Sequence, residues 1–204
     1  RALDSKAVKL VYITSGGTAY GDPDVIPTDE SATVRPLSPY GASKLAVETY
    51  LPVYERFCDL KYSIIRLANV YGPRQDPHGV AGVVAIFTQA MLAGETPLVF
   101  GGGKDERDYV FVGDVVEAIA LASESSLSGP FNVGTGTLTS TNRLFEKVAN
   151  YCAYTVPAVY GPARPGDITR NSLDSTLAKK QLGWITKITL DAGLQKTVEW
   201  FKNV

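Results

Sequence analysis

The 204-residue sequence holds only two cysteines, Cys58 and Cys152, one histidine, His78, and one methionine. Both cysteines fall inside helical patterns far apart in the chain, which excludes a disulfide scaffold and reads as buried thiols of a reducing, cytoplasmic compartment. A lone histidine without a Cys/His cluster excludes the usual zinc sites. No apolar run reaches the ~18 residues of a membrane span, and nothing at the start reads as a signal peptide. An excess of either charge is missing as well. Twenty Lys and Arg stand against 21 Asp and Glu, for a formal net charge of -1, and the basic residues are scattered rather than striped, which argues against a nucleic-acid surface. Internal repeats and low-complexity tracts are absent. What remains is a globular composition, 45% hydrophobic and 20% charged, with core enough for one domain or a large piece of one.

What is present alternates between strands and helices. Residues 1–6 read as a frayed end, and Val8 to Thr14 as a buried strand. A long Gly-, Pro-, Asp- and Thr-rich loop, Ser15 to Leu37, leads to a helix from Ser38 to Cys58 that Pro52 is expected to kink. It carries Leu45, Val47 and Tyr50 among polar residues. Lys61 to Val70 reads as one central strand, Gly82 to Ala93 as a helix closed by Gly94, and Leu98 to Phe100 as a short strand. Gly101-Gly102-Gly103 reads as a hairpin turn before the strand at Arg107 to Val112, since no Lys-Ser/Thr follows it. Asp114 is the expected cap of a helix to Ser123, and Phe131 to Gly134 is a further buried strand. Then come a helix from Thr141 to Cys152, an apolar segment at 156–160, and the loop Ala163 to Asp167. Asp174 starts a helix that Gly183 stops, and Thr189 or Asp191 starts the last one. This order implies a mainly parallel, helix-covered sheet with a smaller α/β lobe toward the C-terminus.

The chemistry concentrates in Ser38-Pro39-Tyr40-Gly41-Ala42-Ser43-Lys44. Pro39 suits the first helical turn and Ser38 the cap, so Tyr40 and Lys44 share one helix face, one turn apart. A free phenol has a pKa near ~10, and bringing it close to neutral takes about 4 kcal/mol of preferential phenolate stabilisation. A neighbouring ammonium and a cationic cofactor supply that together. The pair follows Val8 to Thr14, a strand that runs into Thr14-Ser15-Gly16-Gly17-Thr18-Ala19-Tyr20-Gly21, and open α/β sheets place their sites at such strand ends.

These residues resemble the extended short-chain dehydrogenase/reductase family, and within it the NAD-dependent sugar-nucleotide epimerases of the UDP-glucose 4-epimerase type. The resemblance implies an NAD(P)-binding, Rossmann-like, doubly wound parallel sheet with a smaller substrate lobe. Residues 1–75 would belong to the first and 76–204 mainly to the second, with 107–134 returning to the main sheet. The Gly-x-Gly-x-x-Gly turn that opens such folds is not in the sequence, so the expectation is a sheet lacking its N-terminal βαβ units. By resemblance, Tyr40 is the proton-shuttling tyrosine and Lys44 the lysine on the nicotinamide ribose. The partner hydroxyl is Ser15 or, failing that, Thr14, and both would stand in the cofactor site. Asn69, Arg107, Arg164 and Asp167 resemble the sugar-nucleotide contacts, with Phe100 and Tyr109 near the same ligand. A guanidinium suits a diphosphate and a carboxylate suits a ribose diol.

The reaction implied is an isomerisation: transient oxidation of the UDP-sugar at C4, then reduction from the opposite face, with NAD retained. Dehydratases of the family place Asp-Glu after the catalytic hydroxyl and decarboxylases commonly Glu. Gly16-Gly17 carries no ionisable group and favours the epimerase. The alternatives are another dehydratase, decarboxylase or reductase of the family, or a non-catalytic nucleotide-binding fragment. Self-association is expected, as a homodimer through the Tyr40 to Cys58 helix.

Overall fold

The computed structural model describes residues 9–79, 82–163 and 168–204. In chain order the elements are β1 (Lys9–Ser15), α1 (Gly16–Tyr20), α2 (Pro39–Cys58), β2 (Lys61–Leu67), β3 (Asn69–Tyr71), α3 (Val83–Leu92), β4 (Leu98–Phe100), β5 (Glu106–Phe111), α4 (Val112–Glu124), β6 (Gly129–Val133), β7 (Leu138–Ser140), α5 (Thr141–Cys152), β8 (Val159–Gly161), β9 (Arg170–Asn171), α6 (Thr176–Leu182) and α7 (Leu190–Lys202).

The main sheet is parallel, in the order β1-β2-β6, with Ile13 opposite Ile65 and Ile65 opposite Phe131. The period of two sorts its side chains to opposite faces. Tyr12, Tyr62 and Ile64 pack with Leu51 of α2, whereas Val11, Ile65 and Phe131 pack with Val115, Ala118 and Ala122 of α4. Helices therefore cover both faces, and the near-continuous burial of β2 follows from that. A second sheet runs β3-β5-β7 with β9 beside β5, and its core joins α3, α5 and α7 through Phe87, Leu144 and Leu194. β4 and β8 form a small parallel pair.

Several elements differ from the sequence expectation. The Lys61 to Val70 run is two strands. Ala68 N–H turns to the Val133 carbonyl at 3.0 Å, and β3 then pairs with β5 in the other sheet. Apolar content is the same on both sides of such a partner switch, so composition does not reveal it. The loop from Ser15 holds the short helix α1, and α2 runs through Pro52, which leaves the Glu48 carbonyl without its usual amide donor. On α2, Val47 and Tyr50 face solvent, while Glu48 is buried. The triple glycine is a 3-10 turn between strands of different sheets, not a hairpin.

Asp114 lies inside the first turn of α4 and is not its cap; its carboxylate accepts from Thr186 Oγ1 at 3.0 Å and from the amides of Lys187 and Ile188, each at 3.1 Å. Ser175, not Asp174, occupies the cap position of α6. The cysteines are not both buried: Cys58 is exposed and Cys152 half-buried. No described helix is long and apolar enough to cross a membrane.

Candidate functional site

The C-terminal ends of β1 and β2, the start of α2, and the strands β3 and β5 converge on a cavity of about 780 Å³. Thr14, Ser15, Tyr40, Lys44, Asn69, Arg107 and Tyr109 all line it. Phe100 does not; it ends β4 and packs near Gly161 on the small outer pair. Arg164 and Asp167 lie outside the described residues.

One wall is built by the start of α2. Ser38 Oγ accepts from Gly41 N–H at 3.1 Å, and Pro39 occupies the first helical position. Gly41 lets this turn press onto α1: a Cβ there would lie 2.6 Å from the Thr18 carbonyl oxygen and 3.0 Å from Pro36 Cβ. Tyr40 is 55% exposed, so its phenol is accessible in the cavity wall. Lys44 Nζ stands 5.6 Å from the centre of its ring, as the four-residue spacing requires. The Lys44 carbonyl accepts from Tyr12 OH at 3.3 Å, which ties this turn of α2 back to β1.

Next to it, β1 ends in Thr14 and Ser15. Thr14 Oγ1 is buried and has no hydrogen-bond partner among the described residues. Gly16 and Gly17 follow because there is no room for a side chain. A Cβ at Gly16 would meet Leu173 Cδ1 at 2.6 Å, and one at Gly17 would meet Asn171 Oδ1 at 2.9 Å. The segment from β9 toward α6 thus fills the space beside the catalytic-hydroxyl candidates.

The opposite wall is β3 and β5, where Asn69 pairs with Tyr109 in register. Arg107, paired with Asn171 of β9, donates to the carbonyls of Glu106 at 3.1 Å and Thr169 at 3.4 Å, and still lines the cavity. Burial pushes the Tyr109 phenol up to about 12, against a downward pull from the Arg107 cation. Burial pushes Tyr71, edge-on to it at 6.4 Å, in the same direction. Both rings remain protonated walls.

Four features escaped sequence reasoning. Asn171 is 2% exposed, lines the cavity, and its Nδ2 has no partner among the described residues. Gln75 bridges from the Val70 carbonyl, 3.1 Å away, toward the same cavity. Asp108 is wholly buried, with its carboxyl pushed up by burial and pulled down by donors from Thr135, Gly136 and Leu173, and it fixes the segment that carries Asn171. Arg66 on β2 is buried against Glu48 of α2. For that last pair a signal existed, because a charge amid Ser63-Ile64-Ile65-Arg66-Leu67 has to find a buried partner.

The family model described as GDP-mannose 4,6 dehydratase matches residues 1–197. The chain belongs to this family. Among its relatives, a UDP-glucose 4-epimerase of Mycolicibacterium smegmatis is 50% identical over 196 residues, which is 96% of this chain and 63% of that protein. The chain therefore spans somewhat less than two thirds of that relative's length. The solved UDP-glucose 4-epimerase of Thermotoga maritima with UDP-glucose matches with a TM-score of 0.96 at 45% identity, covering 99% of this chain and 66% of the other. That of Thermus thermophilus with NAD matches at 0.92 and 41%, covering 98% and 66%. The family's Rossmann-like α/β fold is the one described above.

Proposed function

We propose that this chain carries the catalytic wall and the sugar-nucleotide wall of an NAD-dependent UDP-sugar 4-epimerase, of the UDP-glucose/UDP-galactose type. The observation that carries the reading is that one cavity has Tyr40 and Lys44 on one side and Arg107 on the other. The residues present fit a nicotinamide riboside: Thr14 Oγ1 is buried without a partner among the described residues, the Tyr40 phenol is accessible, and the Lys44 ammonium stands beside it. When bound, NAD supplies reversible hydride acceptance, with no net redox change.

The chain's own groups then have separate tasks. Tyr40 takes the proton of the sugar 4-hydroxyl and returns it, and Lys44 stabilises the phenolate while hydrogen-bonding the ribose. Ser15, with Thr14 as the alternative, donates to the same sugar oxygen. Arg107 offers its guanidinium to the diphosphate, a pairing suited to two parallel hydrogen bonds. Asn69 and Asn171 present carboxamides to the sugar nucleotide, and Tyr109 packs alongside. Arg164 and Asp167 retain the diphosphate and ribose roles that the resemblance implies. An elimination or decarboxylation would need an acid or base next to Ser15, and Gly16-Gly17 faces Leu173 and Asn171 instead.

The protein works as a cytoplasmic homodimer in this reading, through the outer face of α2, where Tyr50, Val53 and Phe57 are exposed. The test is to denature the purified protein, measure released NAD and UDP-sugar, and assay interconversion of UDP-galactose and UDP-glucose. Stoichiometric NAD, with turnover lost in Tyr40→Phe, is expected. Protein that retains neither nucleotide and interconverts neither sugar refutes the proposal.

A further inference from the structure

Tyr40, Lys44 and Glu48 follow one another at four-residue intervals on α2 and form a stripe. Its cavity end carries the phenol and the ammonium, and its inner end is the buried Glu48 carboxylate. Arg66 of β2 meets that carboxylate with two nitrogens, Nη2 at 2.6 Å and Nε at 3.1 Å from Oε2. The third nitrogen, Nη1, donates to Tyr20 OH at 2.9 Å, and the guanidinium lies 5.1 Å from the centre of the Tyr20 ring. Tyr20 OH donates onward to Asn132 Oδ1 of β6 at 2.9 Å. Tyr20 closes α1, the short helix that Ser15 opens. One guanidinium therefore joins the helix that carries Tyr40 and Lys44, the turn that carries Ser15, and the sheet beneath both.

We infer that Arg66 is a positioning residue that sets the distance and rotation of the Tyr40/Lys44 helix relative to the Ser15 turn. The inference rests on the epimerase reading for its kinetic consequence but not for its geometry. A planar guanidinium that donates Nη2 and Nε to Glu48 Oε2 and Nη1 to Tyr20 OH fixes the directions of its partners, which an apolar contact between the same elements does not. The pairing has an electrostatic consequence too. Glu48 stands one turn from Lys44, and Arg66 neutralises it there, so the ammonium acts on Tyr40 without an opposing carboxylate behind it.

The test is a pair of variants in the full-length protein. Arg66→Met/Glu48→Met removes both charges and keeps the volume, a change that leaves fold stability near or above its starting value in other buried ion pairs. Melting within a few degrees of wild type is expected, with KM for UDP-galactose and affinity for UDP held within about twofold. By contrast kcat falls by roughly 10- to 100-fold, the scale of a ~1 Å misplacement of reacting groups. Tyr20→Phe deletes a single hydroxyl and lowers kcat several-fold. It also speeds amide hydrogen exchange at residues 15–20 and 40–44 while the rest of the sheet stays protected.

A stable double variant with wild-type kcat overturns the inference. If the double variant does not fold, Tyr20→Phe decides alone, and unchanged exchange at those amides overturns it. Wild-type protein without epimerase activity refutes the functional proposal, and the exchange comparison still judges the positioning role.

Discussion

Alanine at Gly16 puts a methyl group where Leu173 already stands. An ideal Cβ would lie 2.6 Å from Leu173 Cδ1, 2.9 Å from Cδ2 and 3.3 Å from Cγ, against a comfortable carbon–carbon separation of about 3.5–4.0 Å. Leu173 is wholly buried and its N–H is held by Asp108 Oδ2 at 3.2 Å, so its side chain can yield only by repacking within a filled core. Overpacking of this kind costs about 1–3 kcal/mol, while a Gly to Ala change in a helix by itself returns about 0.4–1 kcal/mol through the unfolded chain. The net expectation is a loss of about 1–2 kcal/mol.

A second substitution separates the clash from any other cause. Leu173→Ala alone leaves a cavity and costs about 2–5 kcal/mol. In the double variant the new methyl enters that space, so the two losses combine to less than their sum by about 1–3 kcal/mol. Urea unfolding of the four proteins, with midpoints compared at constant slope, reads this directly. Gly16→Ala at or above wild-type stability refutes the packing account. So does strict additivity in the double variant, which would mean that the glycine pair is there for some reason other than the segment from β9 to α6.

Tyr109 predicts an alkaline limb. Its folded phenol lies near 12 against an ordinary 10.0, so its stabilisation is full below pH 10 and is lost as pH rises toward 12; two units correspond to about 3 kcal/mol. Tyr109→Phe therefore moves the alkaline unfolding midpoint upward, short of abolishing the limb, because Tyr71 is shifted in the same direction. Ser15→Ala is expected to lower kcat by about 10²-fold, the scale of removing one donor from a reacting oxygen, and Thr14→Val by less; the reverse order in steady-state assays transfers the role to Thr14. Asp114→Ala strips an acceptor from Thr186, Lys187 and Ile188, and costs roughly 3 kcal/mol in thermal unfolding while kcat measured well below the melting point stays unchanged.

The sequence by itself determined the local parts. Ser38, Pro39 and the four-residue step from Tyr40 to Lys44 specify a capped helix with phenol and ammonium on one face, and the structure has them so. Thr189 caps α7 and Gly183 ends α6, because these depend on hydrogen bonds to near neighbours in the chain, Ala192 and Ala178. The tertiary structure alone decided how distant segments meet. The switch of β3 to a second sheet and the burial of Glu48 depend on partners distant in the chain, Val133 and Arg66. Asn171 escaped notice for the same reason. Nothing near it in the chain marks it, and it reaches the cavity only because β9 pairs with β5 and presses against Gly17. Propensity and capping act over a few residues, whereas close packing is a property of surfaces that the chain brings together only when folded.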